Sequence, residues 1–275
     1  MKRDNVKDTL KEITDILNSK IPRAGREAQL LLMFHLQKDE LWLITNSKSE
    51  VSQREKLFKM VERRAKNEPF EYITNSVSFY SHQFYIAKGA LIPRPETEIL
   101  IDEVIQRVED KESKLKFVEV GVGSGIISIM LALTFKNATF IAVDISQDAL
   151  DIAKINIERF GLADRIELRL GSLLDCVEEE IDYLVSNPPY IADDEKLESN
   201  LSYEPQNALF GGTIGDEIIQ KLLDEVLKRK INFFTCEMGY DQKDKITTYL
   251  KDTKLNTLEF YKDWSDFDRG FTLEV

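Results

Sequence analysis

Phe117-Val118-Glu119-Val120-Gly121-Val122-Gly123-Ser124-Gly125, followed without a break by Ile126-Ile127-Ser128-Ile129-Met130-Leu131-Ala132-Leu133, reads as a buried strand, a glycine turn and a helix. Glycine reaches positive φ without strain and lets backbone approach a ligand closely. Dinucleotide sites open in a similar way, so the turn alone does not choose a ligand. Its spacing is G-x-G-x-G rather than G-x-G-x-x-G, and Glu119 stands two residues ahead of Gly121. A carboxylate there repels a pyrophosphate and suits a cationic amino-acid headgroup, as in S-adenosylmethionine. A second carboxylate closes the next apolar run, Thr139-Phe140-Ile141-Ala142-Val143-Asp144, nineteen residues beyond Gly125. That is near the offset of about 20 residues at which an acidic side chain binds ribose hydroxyls. Asp144 could instead cap the next helix, but Ser146 is better placed to cap a helix over 147–160.

Working outward, Ile181-Asp182-Tyr183-Leu184-Val185-Ser186 runs into Asn187-Pro188-Pro189-Tyr190. Two prolines in succession cannot continue a ladder, since neither donates an N–H. A strand ending this way leaves carbonyl oxygens beside an amide side chain, and both are acceptors. Together they can hold the two N–H groups of a substrate NH₂, while Tyr190 supplies a flat face. The plain alternative is a strand that ends in a Pro-Pro turn.

Glycine loop, Asp144 and the NPPY tetrapeptide stand in the order and spacing of class I S-adenosylmethionine-dependent methyltransferases. Further segments resemble the HemK/PrmC family, the protein-(glutamine-N5) methyltransferases of peptide chain release factors. Leu91-Ile92-Pro93-Arg94-Pro95-Glu96-Thr97-Glu98 is similar to its IPRPETE signature. Ser202-Tyr203-Glu204-Pro205-Gln206-Asn207-Ala208-Leu209-Phe210-Gly211-Gly212 resembles its EPxxALxGG loop, and Glu237-Met238-Gly239-Tyr240-Asp241-Gln242 its ExGxxQ segment. The resemblance covers 69–275 well and the helical start by general character. It implies catalytic roles for Asn187, Pro188, Pro189 and Tyr190. It implies S-adenosylmethionine contacts from Glu119, Gly121, Val122, Gly123, Ser124, Gly125, Asp144, Ile145, Ser172, Leu173 and Asn187. Three positions depart from the family pattern: Val122 for the usual Thr, Glu119 for the commoner Asp, and Ser172 where an acid facing the adenine amino group is usual.

From Pro95 onward helix and strand patterns alternate, with strands near Phe117, Phe140, Ile166, Tyr183, Phe233, Leu258 and Phe271. This alternation predicts an α/β, doubly wound, Rossmann-like sheet of the class I methyltransferase type. The last two strands have no helix between them and should pair antiparallel. Ligands of open α/β sheets bind at the carboxyl ends of strands, so the three motifs converge on one site. Residues 1–70 read as a small helical domain, with Val6, Leu10, Ile13 and Leu17 at helical spacing. Ser52 and Glu55 form a capping-box pattern, His35 falls at a core edge, and Pro69 ends the helical region. Residues 71–92 alternate as a β-hairpin linker, and 93–275 form the methyltransferase domain. The long polar loop 191–216, with Gly211, Gly212 and Gly215 as hinges, is a candidate lid or a plain surface insertion.

The chain of 275 residues carries 37 basic and 49 acidic side chains, a net charge of −12. That balance opposes a long nucleic-acid footprint; Arg63-Arg64-Ala65-Lys66 reads as a solvated helix face. With two histidines and two lone cysteines, no metal site is expected. The absence of an apolar run at the start or of a membrane-length segment points to a cytoplasmic protein with no membrane contact. The expected partner is a class I release factor, with residues 1–70 as the recognition surface and the enzyme monomeric. Rival readings are an adenine-N6 or guanine-N2 nucleic-acid methyltransferase and a non-catalytic, cofactor-sensing protein on the same fold. Acidic composition opposes the first and the intact NPPY the second.

Overall fold

In a computed structural model describing residues 4–197, 199 and 201–275, the chain packs into two units. The first reaches to Asn75 and takes in the short stretch ending at Tyr203; the second holds the rest.

Among the described residues the first unit holds the α-helices α1 (Val6–Leu17), α2 (Ala24–Leu36), α3 (Glu40–Thr45), α4 (Arg54–Arg64) and α5 (Phe70–Thr74). Asn5 caps α1 by accepting the Asp8 N–H, and Asp39 caps α3 by accepting that of Trp42, as short polar N-caps do. Val6, Ile13, Leu17, Ala28, Leu31, Leu32, Leu57 and Val61 interlock as its core. The basic run at Arg63 is not simply solvated. Arg63 pairs with Glu68 at 2.8 Å and Arg64 with Glu27 at 2.7 Å.

Three expectations are corrected here. No capping box forms at Ser52, because Gln53 takes a left-handed φ of 49° and α4 begins only at Arg54. The Ser52 carbonyl instead accepts from half-buried His35 Nε2 at 2.8 Å. Pro69 does not end the helical region but sits at the N-terminus of α5. The hairpin is accordingly shorter than 71–92, being only β1 (Val77–Phe79) and β2 (His82–Phe84), antiparallel.

The second unit continues with α6 (Thr97–Arg107), β3 (Lys116–Val120), α7 (Ile126–Thr134), β4 (Thr139–Asp144), α8 (Gln147–Arg159), β5 (Ile166–Leu170), β6 (Tyr183–Ser186), β7 (Ile191–Ala192), β8 (Phe210–Gly212), α9 (Glu217–Arg229), β9 (Phe233–Glu237), α10 (Lys243–Leu250), β10 (Thr257–Lys262) and β11 (Asp268–Glu274). The main sheet runs β10-β11-β9-β6-β3-β4-β5, with β11 antiparallel to both neighbours and the other pairings parallel. Alternate residues of β3 feed two cores. Phe117 joins Ile127, Leu131 and Ala153 on the α7–α8 side, while Val118 and Val120 join Leu184, Ile219 and Leu223 on the α9 side. A row of stacked rings fixes the register across four strands. Phe140, Phe117, Tyr183 and Phe233 lie 5.0, 5.5 and 5.4 Å apart in succession, adding to area burial.

The 191–216 segment is more than a loop. It contains the parallel pair β7–β8 and two 3-10 turns, Leu201–Tyr203 and Gln206–Ala208. Gly211 serves close approach rather than hinging: a Cβ there would sit 2.4 Å from the backbone oxygens of Pro189 and Gly215. No helix among the described residues is long and apolar enough to cross a membrane.

Candidate active site

Strands β4, β3 and β6 lie side by side, and their carboxyl ends carry the three motifs. The turn after β3 is tied to β4, since the N–H groups of Gly121 and Val122 both donate to the Val143 carbonyl, at 2.8 and 3.1 Å. Gly121, Gly123 and Gly125 have φ of 80°, 53° and 83°, the left-handed region that favours glycine. Gly125 caps α7 without a side chain.

Glu119 is buried on the same face of β3 as Phe117 and reaches the first turn of α7. Its Oε2 accepts the Ser128 N–H at 2.9 Å and the Ser128 hydroxyl, satisfying a helix-terminal donor that has no partner within the helix. Its Oε1 is buried with no hydrogen-bond partner among the described residues. Burial pushes its pKa up to about 8, the Ser128 bonds opposing and the Asp144 charge adding to the rise. An unpaired buried carboxylate oxygen of this kind calls for a cation or a donor.

Asp144, at the end of β4, accepts the Gly123 N–H at Oδ2 and the Ser146 N–H at Oδ1, both at 2.9 Å. A carboxylate offers about four acceptor positions, so capacity remains beyond these bonds and the Ile145 N–H beside them. Burial raises its pKa, while the backbone bonds oppose the rise. Ser146 does cap α8, its hydroxyl accepting the Ala149 N–H at 3.3 Å.

At the end of β6, Ser186 Oγ donates to the Val120 carbonyl at 2.7 Å and locks this strand end to the glycine turn. Asn187 Nδ2 donates to Thr97 Oγ1 at 3.1 Å, and Thr97 Oγ1 donates to Glu237 Oε2 at 2.9 Å. Tyr190 does not show its face to the cavity. It packs beside the α9-side core, and its hydroxyl donates to Glu237 Oε1 at 3.3 Å. The Tyr190 carbonyl accepts from Gln242 Nε2 at 3.0 Å. The Pro188 carbonyl accepts no hydrogen bond from the described residues.

One cavity of about 280 Å³ joins these groups. Glu119, Gly121, Val122, Gly123, Ser124, Asp144, Ile145, Ser172, Leu173, Asn187, Pro188 and Pro189 all line it; Gly125 and Tyr190 do not. Leu173 holds a left-handed φ of 51° at this wall, a strained position for a branched residue. Asn207, Ala208 and Phe210 of the 191–216 segment line it as well. That segment is anchored by buried Glu204, which accepts the Ile92 N–H at 2.9 Å and pairs with Arg94. Thr97, Glu204, Glu237 and Gln242 thus support the site, although the sequence offered no role for them beyond their membership of short signature segments. Among the described residues no cluster of three or more histidine, cysteine or acidic side chains is arranged to hold a metal ion.

Comparison with known proteins agrees with this architecture. Residues 8–74 match the family model of the PrmC N-terminal domain, and residues 96–209 that of the methyltransferase small domain. A release factor glutamine methyltransferase of Dictyoglomus turgidum is 38% identical over 264 residues, spanning 92% of this chain and 91% of that one. The protein of the same name from Clostridium acetobutylicum is 34% identical over 253 residues, 88% of either chain. Among solved structures, the human METTL16 catalytic domain in complex with an RNA hairpin superposes over 80% of both chains with a TM-score of 0.57. At 13% identity that likeness speaks for the class I methyltransferase fold alone. With relatives this similar over nearly their whole length, the chain belongs to the release factor glutamine methyltransferase family.

Proposed function

We propose that this protein transfers a methyl group from S-adenosylmethionine to the side-chain amide nitrogen of the glutamine in the Gly-Gly-Gln motif of class I peptide chain release factors. The observation that carries the reading is Asn187, a cavity-lining residue whose NH₂ is engaged by Thr97, which leaves its oxygen without a hydrogen-bond partner among the described residues. S-adenosylmethionine, when bound, supplies an electrophilic methyl on a sulfonium. Glu119 Oε1, unpaired at the cavity, suits the cationic amino-acid end of that molecule. Asp144 has lone pairs that would take ribose hydroxyls, and Ile145, Ser172 and Leu173, which line the same cavity, would hold the adenine.

A glutamine amide nitrogen is a poor nucleophile, because its lone pair is delocalised into the carbonyl. Asn187 Oδ1 and the unoccupied Pro188 carbonyl oxygen accept its two N–H groups and turn the lone pair toward the methyl. The same acceptors favour positive charge as the nitrogen becomes tetrahedral. Positioning contributes several kcal/mol, and a preorganised polar contact about 2.7–4 kcal/mol by analogy with oxyanion donors. The amide proton leaves after attack, so no strong base is required. Tyr190 serves this reading from behind, holding the tetrapeptide through Glu237.

A glutamine side chain is too small a target to choose one protein, so recognition needs a second surface. The helical unit, with Leu41 and Ile44 of α3 exposed at 68% and 66%, supports that role. A translational substrate supports a cytoplasmic site of action. The test is label transfer from methyl-labelled cofactor to release factor, DNA and RNA in parallel. Label on the release factor alone is expected; label on nucleic acid alone would overturn the assignment.

A further inference from the structure

Three buried or half-buried side chains from distant parts of the chain form a directed relay beside the tetrapeptide, with Thr97 and Asn187 at the cavity wall and Glu237 beneath them. Glu237, at the end of β9, and Thr97, in the first turn of α6, are both at most 2% exposed. Thr97 has one hydroxyl proton, and it goes to Glu237 Oε2. Toward Asn187 the Thr97 oxygen can therefore only accept, so Asn187 must present its NH₂ there. The Asn187 oxygen is left facing the other way. A side-chain amide with no directing neighbour adopts either of two flips, and one of them would set NH₂ against the NH₂ of the substrate, donor against donor.

We propose that Thr97 and Glu237 are positioning residues of the transfer, fixing the Asn187 amide with its oxygen toward the target nitrogen. This rests on the reading of Asn187 as an acceptor for the glutamine amide. The relay has a sense that one proton can reverse. Protonated Glu237 donates to Thr97 Oγ1, Thr97 then donates to Asn187, and the amide turns its NH₂ outward. Burial lifts the Glu237 pKa to about 7, opposed by the Thr97 bond, the Arg269 charge and the Tyr190 bond, with Glu96 adding to the rise. Tyr261 and, from the other face of β9, Cys236 also feel its charge, and burial holds both well above their usual values; burial raises Tyr190 too. Glu237 is thus the group facing the relay that changes charge near neutrality, and its ionised form is the working one.

The test compares Thr97→Val, which keeps the shape and removes the relay, with Thr97→Ser, which keeps the hydroxyl; Thr97→Ala guards against a valine-specific packing defect. Thr97→Val should lower kcat about five- to tenfold, the scale of one hydrogen bond, with cofactor affinity unchanged, and Thr97→Ser should restore it. Wild-type kcat should fall as pH drops through about 7, and Thr97→Val should lose that acid limb. In ¹⁵N-labelled protein the Asn187 NH₂ protons should exchange slowly in wild type and Thr97→Ser, and rapidly in Thr97→Val. That last measurement needs no glutamine substrate, so it judges the relay even if the assigned substrate is wrong. Equal exchange in the valine and serine variants, or a valine variant with normal kcat and an intact acid limb, overturns the proposal.

Discussion

Replacing Asp144 separates the proposed cofactor contact from structural support, because in that reading its two oxygens serve both. In the wild type the carboxylate accepts backbone N–H groups, from Gly123 at Oδ2 and Ser146 at Oδ1 with Ile145 beside them, and its remaining acceptor capacity is available to a ribose hydroxyl. Asp144→Ala removes the charged hydrogen bonds to the ligand, a loss of about 1.5–3 kcal/mol, or roughly 10- to 150-fold in affinity at 1.4 kcal/mol per decade. It also leaves the Gly123 and Ser146 N–H groups without their acceptor, which loosens the glycine turn. The cost in stability should be smaller than the cost in affinity. Burial already raises the pKa of this carboxyl, so deleting it relieves a desolvation penalty. Asp144→Asn should fall close to alanine. Its single amide oxygen can serve Gly123 or Ser146, and its NH₂ then faces the other N–H, donor to donor. Calorimetric titration with S-adenosylhomocysteine, beside thermal unfolding of each variant, reads both quantities. Affinity in Asp144→Ala within twofold of wild type would refute the ribose role, and a fully active Asp144→Asn would refute the two-sided hydrogen bonding.

Asn187→Ala should lower turnover by at least ~10²-fold, the effect of losing one preorganised polar contact, while cofactor affinity changes little; steady-state rates and calorimetry check the split. Glu119→Gln carries a pH signature. The folded-state pKa is raised from 4.5 to about 8, so the native carboxyl favours stability below the unfolded value, and that contribution is lost as pH rises toward 8. Glu119→Gln should therefore raise the melting temperature of the ligand-free protein at pH 8 and not at pH 4.5, while weakening S-adenosylmethionine binding. On the helical unit, Leu41→Glu with Ile44→Glu should slow methylation of an intact release factor and leave a short Gly-Gly-Gln peptide's rate unchanged; equal effects on both substrates would remove α3 from recognition.

The doubly wound sheet was legible because parallel strands buried on both faces leave long apolar runs, punctuated by glycine and proline. Phe117, Phe140, Ile166, Tyr183 and Phe233 each fall in a strand where the pattern put one. Helix α5 was not legible. Phe70-Glu71-Tyr72-Ile73-Thr74 is rich in strand formers, and burial of Tyr72 and Ile73 overrides that preference. The Ser52–Glu55 pattern failed as a cap because a left-handed residue intervened, which local sequence does not announce. At the site, the residues of the glycine turn and the strand ends were readable from spacing. Their supports were not. Thr97 and Glu237 meet across a separation of 140 residues, and chain order carries no signal for which buried hydroxyl will face which carboxylate. The turning of Tyr190 away from the cavity was hidden in the same way, since its hydroxyl partner Glu237 lies 47 residues further along the chain.

The assigned chemistry stands on a single covalent change in a partner protein. Mass spectrometry of a class I release factor, incubated with this enzyme and S-adenosylmethionine and then digested, reads it at residue level. The expected result is one added methyl group on the glutamine of the Gly-Gly-Gln peptide, absent with Asn187→Ala. Methyl on another residue, or an unmodified Gly-Gly-Gln peptide under conditions where the enzyme binds its cofactor, would contradict it.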